Sequence, residues 1–597
     1  MKAGGEEVLI FRDEYGVPHI WAKSSQSLFE AFGYVVAQDR LAQLEMGRRE
    51  ARGRLAEVLG PDLLPSDMAT RRETYTEEEI LHQYKSLGGE AKALLGAYVS
   101  GINRWIEELN ENKENNPFGT DWELYPGGTR PEPWSITDSL AVMVSSGRRF
   151  GEFGGGELGN LEELNKLGRE GFERKYPLND PSAPVTVSLK WGSGRKDTSY
   201  VGQGFSPAYT EDADLKVCPT KGISGLPKKL GSYAVVVSPK RSASGRALLL
   251  GCPQMGLEGP QPGYEVDLHG GGFDVAGMTF PGVPAVLIGY NKYVAWTLTS
   301  GCSDNVDVFV EELNPENPLE YRYLGQWLRL ETREEVFHVK GSSPVRERFY
   351  RSLHGPIFRM EGGRAYSHKR TFWLEELKAI EAFLQINRAK YMEDFYRAIE
   401  LIPLSFNLFY AGVEGQIGYW HLGKYRLLAP GSDPRLPLSG TGLEEWRGFV
   451  PMDWLPHVIN PPEGYMANWN NKPAKTWDNG DNLPWVGDHR VRKILSVLER
   501  KEKIGLEDLQ GLPKEIDSHG TYEQMVELGA PRFKMVNILP PGESGFVGHP
   551  HSQDQKGLFE QWMHKPAHFS CGDGDSDDDG VLDWKEAERS TNPFKRD

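Results

Sequence analysis

Leu230-Gly-Ser-Tyr-Ala-Val-Val-Val237 joins two unlike parts of the chain. Tyr233 to Val237 is a nearly unbroken apolar run. A turn through Ser238-Pro239-Lys240 to Gly245 leads to a second such run, Arg246-Ala-Leu-Leu-Leu250. This pattern predicts a β-hairpin with a long loop, both strands buried. Residues 193–231 are the opposite: Gly, Ser, Lys, Asp and Pro dominate, no period of 2 or 3.6 survives, and the segment reads as a linker. Gly231-Ser232 stands at the junction. By itself a Gly-Ser pair before a strand is ordinary turn sequence. A serine freed there as a chain N-terminus would, however, carry its own base, because an α-amine titrates at about pH 7.7–8.0, where a general base works best. Its hydroxyl can attack an acyl carbon while the amine takes the proton. The same hydroxyl can attack the Gly231 carbonyl, and the small glycine permits the strained geometry.

Outward from this junction, strands and helices come in blocks. Val8 to Phe11 reads as a short strand, followed by the turn Asp13-Glu14-Tyr15-Gly16 and by Pro18-His19-Ile20-Trp21. Leu28, Phe32, Val35, Leu41 and Leu44 recur at helical spacing until Gly60, and Leu95, Tyr98, Val99, Ile102, Ile106 and Leu109 make a second amphipathic helix. A third starts at Ser135 as N-cap, with Asp138 three residues on, and runs to Arg148-Arg149-Phe150 before a glycine run at 154–156. That places Phe150 where a helix unwinds. After the hairpin, short strands continue to about residue 360. A helical segment at Phe372 to Ala398, strands at Asn407 to Ala411 and Gly415 to His421, and helix over 490–510 complete the pattern. Blocks of this kind are α+β, not regular βαβ units.

Composition narrows the function. At about 150 residues per domain, 597 residues suggest up to about four domains. With 39% apolar and 26% charged residues the chain can bury a core. A net charge of −17 disfavours general binding to nucleic acid or anionic membrane. No run of about 18 apolar residues predicts a membrane span, and Met1 to Glu7 lacks the apolar stretch of a signal peptide. Four dispersed cysteines make neither a disulfide scaffold nor a zinc cluster. The motifs G-x-S-x-G, H-E-x-x-H and the P-loop are missing, which leaves a hydrolase elbow, a zincin site and a nucleotide cradle without support.

Several longer blocks carry a resemblance. Arg12-Asp-Glu-Tyr-Gly-Val-Pro-His-Ile20, Gly33-Tyr-Val-Val-Ala-Gln-Asp-Arg-Leu41, the 230–237 junction, Gly251-Cys-Pro-Gln254, Leu268-His-Gly-Gly-Gly-Phe-Asp274, Asp433-Pro-Arg-Leu-Pro437 and Ala467-Asn-Trp-Asn-Asn471 occur in that order. Together they resemble the penicillin amidase (penicillin acylase) family of N-terminal nucleophile hydrolases, over residues 6 to about 500 and again near 540–568. The resemblance implies an αββα sandwich with helical additions. It implies a small-subunit region 1–192, a spacer 193–231 and a large-subunit region 232–570, self-cleaved between Gly231 and Ser232 into a heterodimer. The substrate would be a small N-acyl amide, and the location periplasmic or extracellular.

The same resemblance assigns residues. Ser232 is the expected nucleophile, Asn470 and the Ser300 backbone N–H the oxyanion donors, Gln254 the residue that orients the amine, and Arg490 an aid to processing and to substrate carboxylate contact. An acyl pocket is expected from Ser146, Phe150, Met255, Leu287, Leu298, Cys302, Phe383 and Phe406, with Met255 and Cys302 where phenylacetyl-selective relatives carry aromatic residues. A calcium ion is expected on Glu157, Asp304, Val306, Asp307, Pro434 and Asp481, an all-oxygen set.

Two departures from the family pattern stand out. Between Arg490 and Pro540 the chain is much shorter than family members. The tail 571–597 is acidic, and its Asp575, Asp577, Asp579, Gly580, Asp583 and Glu586 fit positions 1, 3, 5, 6, 9 and 12 of an EF-hand loop. With Ser590-Thr-Asn-Pro593 after it, the segment resembles the calcium loops of thrombospondin type-3-like repeats. The expectation is therefore an N-acyl amide hydrolase. The alternatives are an acyl-homoserine-lactone acylase, or a catalytically impaired calcium-binding exported protein on the same scaffold.

Overall fold

A computed structural model describes residues 1–111, 116–117, 122, 125–188, 231–255, 262–482, 485–529, 534–540, 542–546 and 549–567. The spacer up to residue 230 and the acidic tail with Asp575, Asp577, Asp579, Asp583 and Glu586 lie outside the described residues.

The expected hairpin is present as Gly231–Val237 paired antiparallel with Leu248–Gln254, from Gly231 opposite Gln254 to Val237 opposite Leu248. Every residue of both strands is buried. The unbroken apolar run has a physical cause. Ala234, Val236 and Leu249 point inward between two stacked sheets, against Ala295, Phe409, Ala411 and Tyr419. Tyr233, Val235, Val237, Leu248 and Leu250 point the other way, against Ile494, Val497, Leu498, Leu509 and Leu512 of an outer helix layer. A strand covered on both faces cannot alternate polar and apolar residues. Each fully buried Val or Leu side chain is worth about 1.5–3 kcal/mol relative to exposure.

The hairpin lies inside a six-stranded sheet ordered Tyr465–Asn468, Gly231–Val237, Leu248–Gln254, Glu523–Glu527, Lys534–Ile538 and Lys565–Pro566. Facing it is a nine-stranded sheet that runs from His457–Ile459 through Phe406–Gly412 and Val294–Ser300 to Pro18–Trp21 and Leu9–Arg12. Pro18–Trp21 joins Tyr264–Gly270 in parallel, which ties the N-terminal region into a sheet built from later strands. Helices Ser25–Ala51, Gly89–Glu111, Ile136–Gly151, Lys378–Ile386 and Met392–Ile399 cover its outer face. The layers are helix, sheet, sheet, helix: the expected αββα sandwich. The Ser135 cap is closed by Asp138 in a reciprocal capping box.

Two helical expectations are corrected. The segment 372–398 is broken between Ile386 and Met392, because the Asn387 side chain bonds the backbone N and O of Val286 at 3.0 and 2.8 Å. The segment 490–510 divides into Val491–Glu499 and Leu506–Glu515, because the backbone of Ile504 is gripped by Arg241 and Ala243 of the hairpin loop. Among the described residues, no helix is long and apolar enough to cross a membrane.

Candidate active site

Ser232 sits one residue into its strand and is 4% exposed. Its backbone N–H donates to Asn470 Oδ1 at 2.8 Å, and its hydroxyl donates to the Gly231 carbonyl oxygen at 2.6 Å. Ser232 Oγ therefore lies against the peptide bond that joins Gly231 to Ser232. Gly231 has φ +144°, and a Cβ there would strike the guanidinium of Arg490, so the position accepts only glycine without a shift of that side chain.

Asn470 is the hub of the site. It holds a left-handed φ of 60°, uncommon for a residue with a side chain, and its conformation is over-determined by its contacts. Its N–H donates to Asn468 Oδ1 at 2.8 Å and its carbonyl accepts from Trp485 Nε1 at 2.9 Å. Its Oδ1 accepts from both Ser232 N and Arg490 Nη2, each at 2.8 Å. That leaves Nδ2 as the donor, aimed at the Ser300 carbonyl at 3.0 Å. Arg490 is stacked over the Trp469 ring at 5.0 Å. Burial, and then the charge of Arg490, depress the neighbouring His489 to a pKa of about 3, so this histidine is neutral at working pH.

Ser300 ends strand Val294–Ser300, opposite Phe406, and its hydroxyl donates to the Phe150 carbonyl. The Gln254 side chain does not bond Ser232. It accepts from Trp469 Nε1 at 3.0 Å and donates to Ser518 Oγ and the His519 carbonyl at 2.7 and 3.0 Å. The sequence reading missed Asn468, which accepts from Thr299 Oγ1 and Asn470 N, and the loop around Ser518. Asn468 stands in the quoted block 467–471, so its polar, buried position inside a strand was the available signal.

A cavity of about 100 Å³ opens beside Ser232 and Ser300. Its wall includes seven of the eight expected pocket residues, Ser146, Phe150, Met255, Leu287, Leu298, Phe383 and Phe406. Cys302 is a correction: it lies off the cavity, buried with Phe153, Ala183 and Trp485, because the chain turns at a left-handed φ of 54° just past Ser300. Phe280, stacked on Phe150 at 5.4 Å, and Met278 complete an apolar wall that the sequence did not reveal. Its lining is predominantly apolar, the character of a ligand-binding pocket.

The four expected acidic ligands do assemble behind the site, with an intruder among them. The Arg426 guanidinium bonds Asp307 at 2.6 and 2.9 Å, the Asp304 carbonyl at 2.8 Å, and the Asp304 carboxylate. Trp446 Nε1 adds a bond to Asp307 at 2.6 Å. The Val306 carbonyl accepts from Gly155 N, and Pro434 lies between Asp433 and Arg435, whose carbonyl accepts from Asn160. Among the described residues, no three ligating side chains converge as a finished metal shell. Glu157 Oε2 and Asp481 Oδ1, however, are buried with no N–H or hydroxyl donor, and the two carboxyl groups meet each other. Burial and then the charges of Asp481, Asp307 and Asp304 push the Glu157 carboxyl well above its usual range; burial pushes Asp481 up to about 7. Once ionised, these two facing carboxyl groups would suit a hard cation on the Glu157–Asp481 side of the cluster. Asp304 and Asp307 already have theirs in Arg426.

The model of the penicillin amidase family matches residues 7–519. The chain is 33% identical over 547 residues to penicillin G acylase of Escherichia coli, covering 83% of this chain and 63% of that protein. It is 29% identical over 489 residues to the acyl-homoserine lactone acylase QuiP of Pseudomonas fluorescens strain Pf-5, covering 79% and 56%. It thus spans about 63% of the length of the E. coli acylase. The solved thermostable penicillin G acylase of Alcaligenes faecalis, at 21% identity and a TM-score of 0.55, covers 57% of this chain and 96% of that one, which shows the shared fold. The chain belongs to the penicillin amidase family.

Proposed function

We propose that this protein is an N-acyl amide hydrolase that matures by cutting itself before Ser232. The observation that carries this is the Ser232 hydroxyl at 2.6 Å from the Gly231 carbonyl oxygen, with the Asn470 side chain on the adjoining N–H. In maturation, Ser232 Oγ adds to the Gly231 carbonyl carbon, the C–N bond breaks, and the Ser232 nitrogen leaves with the proton as an amine. Water then hydrolyses the resulting ester, which gives a Gly231 carboxylate and a free Ser232 amine. The products are two fragments that stay together through shared sheets.

In turnover, the α-amine takes the proton from Oγ as Oγ attacks the substrate carbonyl. Asn470 Nδ2 and the Ser300 N–H stabilise the oxyanion, the amine product leaves, and water releases the acid. The apolar cavity beside Ser232 receives the acyl group. Asn470→Ala is expected to lower kcat by about 10²–10³-fold, or about 2.7–4 kcal/mol, the usual cost of one oxyanion donor. A kcat within twofold of wild type would remove Asn470 from this role.

In the same reading a calcium ion lies on Glu157 and Asp481, where it ties helix Glu157–Lys175 to the 479–482 loop and takes no part in the chemistry. A further calcium in the 575–586 loop belongs to this proposal as well. The decisive experiment is N-terminal sequencing of the purified protein, with a panel of phenylacetyl amides, fatty-acyl amides and acyl-homoserine lactones. Two fragments, the second beginning at Ser232, and turnover of at least one class are expected. A single uncleaved chain that turns over none of them sinks the proposal.

A further inference from the structure

We propose that His519 is a positioning residue for the nucleophile, and that segment 556–564 clamps it in place; this rests on the reading of Ser232 as nucleophile. The loop Ser518–Thr521 runs along the end of strand Leu248–Gln254, directly behind Ser232, whose register partner is Pro253. It bonds Tyr233, the residue after the nucleophile, and three successive residues of the paired strand end, Pro253, Gln254 and Met255. Ser518 O accepts from Tyr233 OH at 3.0 Å, and Ser518 Oγ and His519 O accept from Gln254 Nε2 at 2.7 and 3.0 Å. Thr521 N donates to Pro253 O at 2.8 Å, and Thr521 Oγ1 accepts from Met255 N at 2.6 Å. Gln254 in turn holds Trp469, the residue before Asn470. A displaced loop would therefore shift both the nucleophile strand and the oxyanion side chain.

The loop is itself held from outside. The His519 ring stacks on Trp562 with centroids 3.6 Å apart and planes 18° apart, and lies 4.0 Å from Phe559. Its Nδ1 faces Glu523 Oε1 at 3.2 Å, and the other Glu523 oxygen meets His564 Nε2 at 2.6 Å. Glu523 Oε1 also accepts from Gly520 N at 2.8 Å. Asp517, just before the loop, and Trp562, within the clamp, hold left-handed backbone at φ 53° and 59°. Such strain persists only where the surroundings impose it. Gly520 has no room for a side chain, because a Cβ there would meet Cys252 Sγ. The chain thus reaches back from residue 562 to fix the rear of its own active site.

The test uses the full chain, with Trp562→Ala, Trp562→Phe and His519→Ala beside wild type. Phenylmethanesulfonyl fluoride labels an activated serine, and mass spectrometry of labelled Ser232 counts competent sites and gives a labelling rate that needs no substrate. Trp562→Ala is expected to lower kcat per labelled site and the labelling rate by roughly tenfold, on the scale set by the roughly 10²-fold cost of a 1 Å misplacement, with KM little changed. Trp562→Phe, which keeps a ring for His519, is expected to recover most of both, and His519→Ala to resemble Trp562→Ala. If the variants lose only thermal stability while kcat per labelled site and labelling rate match wild type, the clamp is mere packing and the inference is wrong. A wild-type protein that neither labels at Ser232 nor turns over any amide overturns the proposed function itself.

Discussion

Ser232→Ala is expected to run as one uncleaved chain and to lose amide turnover by about 10⁶-fold, the scale of removing a nucleophile that acts as a unit with its base. In the proposed mechanism a single atom has both tasks: Oγ attacks the Gly231 carbonyl during maturation and the substrate carbonyl afterwards, and cleavage frees the amine that serves as base. Alanine removes the first step, so the second never acquires its base. The fold should survive, because Ser232 contributes one hydroxyl to a strand whose stability lies in Tyr233, Val235 and Val237. Melting temperature checks that point. Gly231→Ala is the informative partner: it keeps the hydroxyl but drives a Cβ into Arg490 and strains a φ of +144°. Slow cleavage with a normal fold is expected, and time-resolved gels read it. A Ser232→Ala chain that still splits or still hydrolyses amides would place the nucleophile elsewhere.

The hairpin and its buried faces were legible because burial on both sides leaves a plain mark, an apolar run between turns. Asn470 and Arg490 were singled out only by the family resemblance, since nothing in an isolated Asn or Arg marks a hub. What the sequence hid was long-range pairing. Arg426 is 119 residues from Asp307 along the chain, and no local pattern says that its guanidinium ends among those carboxylates. Ser518 and His519 lie 264 and 265 residues from Gln254 and read as ordinary turn sequence. Cys302 shows the converse error. The family resemblance pointed it to the pocket, but two residues beyond Ser300 the backbone turns away. The single helix expected over 372–398 failed for a related reason: Asn387 spends its side chain on Val286, across 101 residues, in place of continuing a helix face.

Arg426→Gln is expected to destabilise the protein by about 3–5 kcal/mol, the cost of leaving a buried charge without its partner. The side chains of Asp304 and Asp307 are each 2% exposed, and Arg426 itself is 7% exposed, so water cannot replace the guanidinium. Burial disfavours the charge on Arg426, but Asp304 and Asp307 hold it firmly protonated. Four carboxyl groups share this cluster with one guanidinium; burial favours protonated Glu157 and Asp481, and the proposed calcium ion would hold them ionised in place of protons. Chelation should therefore lower wild-type stability, and lower that of Arg426→Gln further, with added Ca²⁺ restoring part of each loss. Arg426→Lys separates charge from geometry. A lysine keeps the positive charge but not the planar fork that meets both Asp307 oxygens, and it should recover only part of the stability. Denaturant melts of the three proteins, with chelator and with Ca²⁺, measure every term. If Arg426→Gln in chelator melts with wild type, the guanidinium does not neutralise this cluster, and a cation or protons on all four carboxylates must do so in its place.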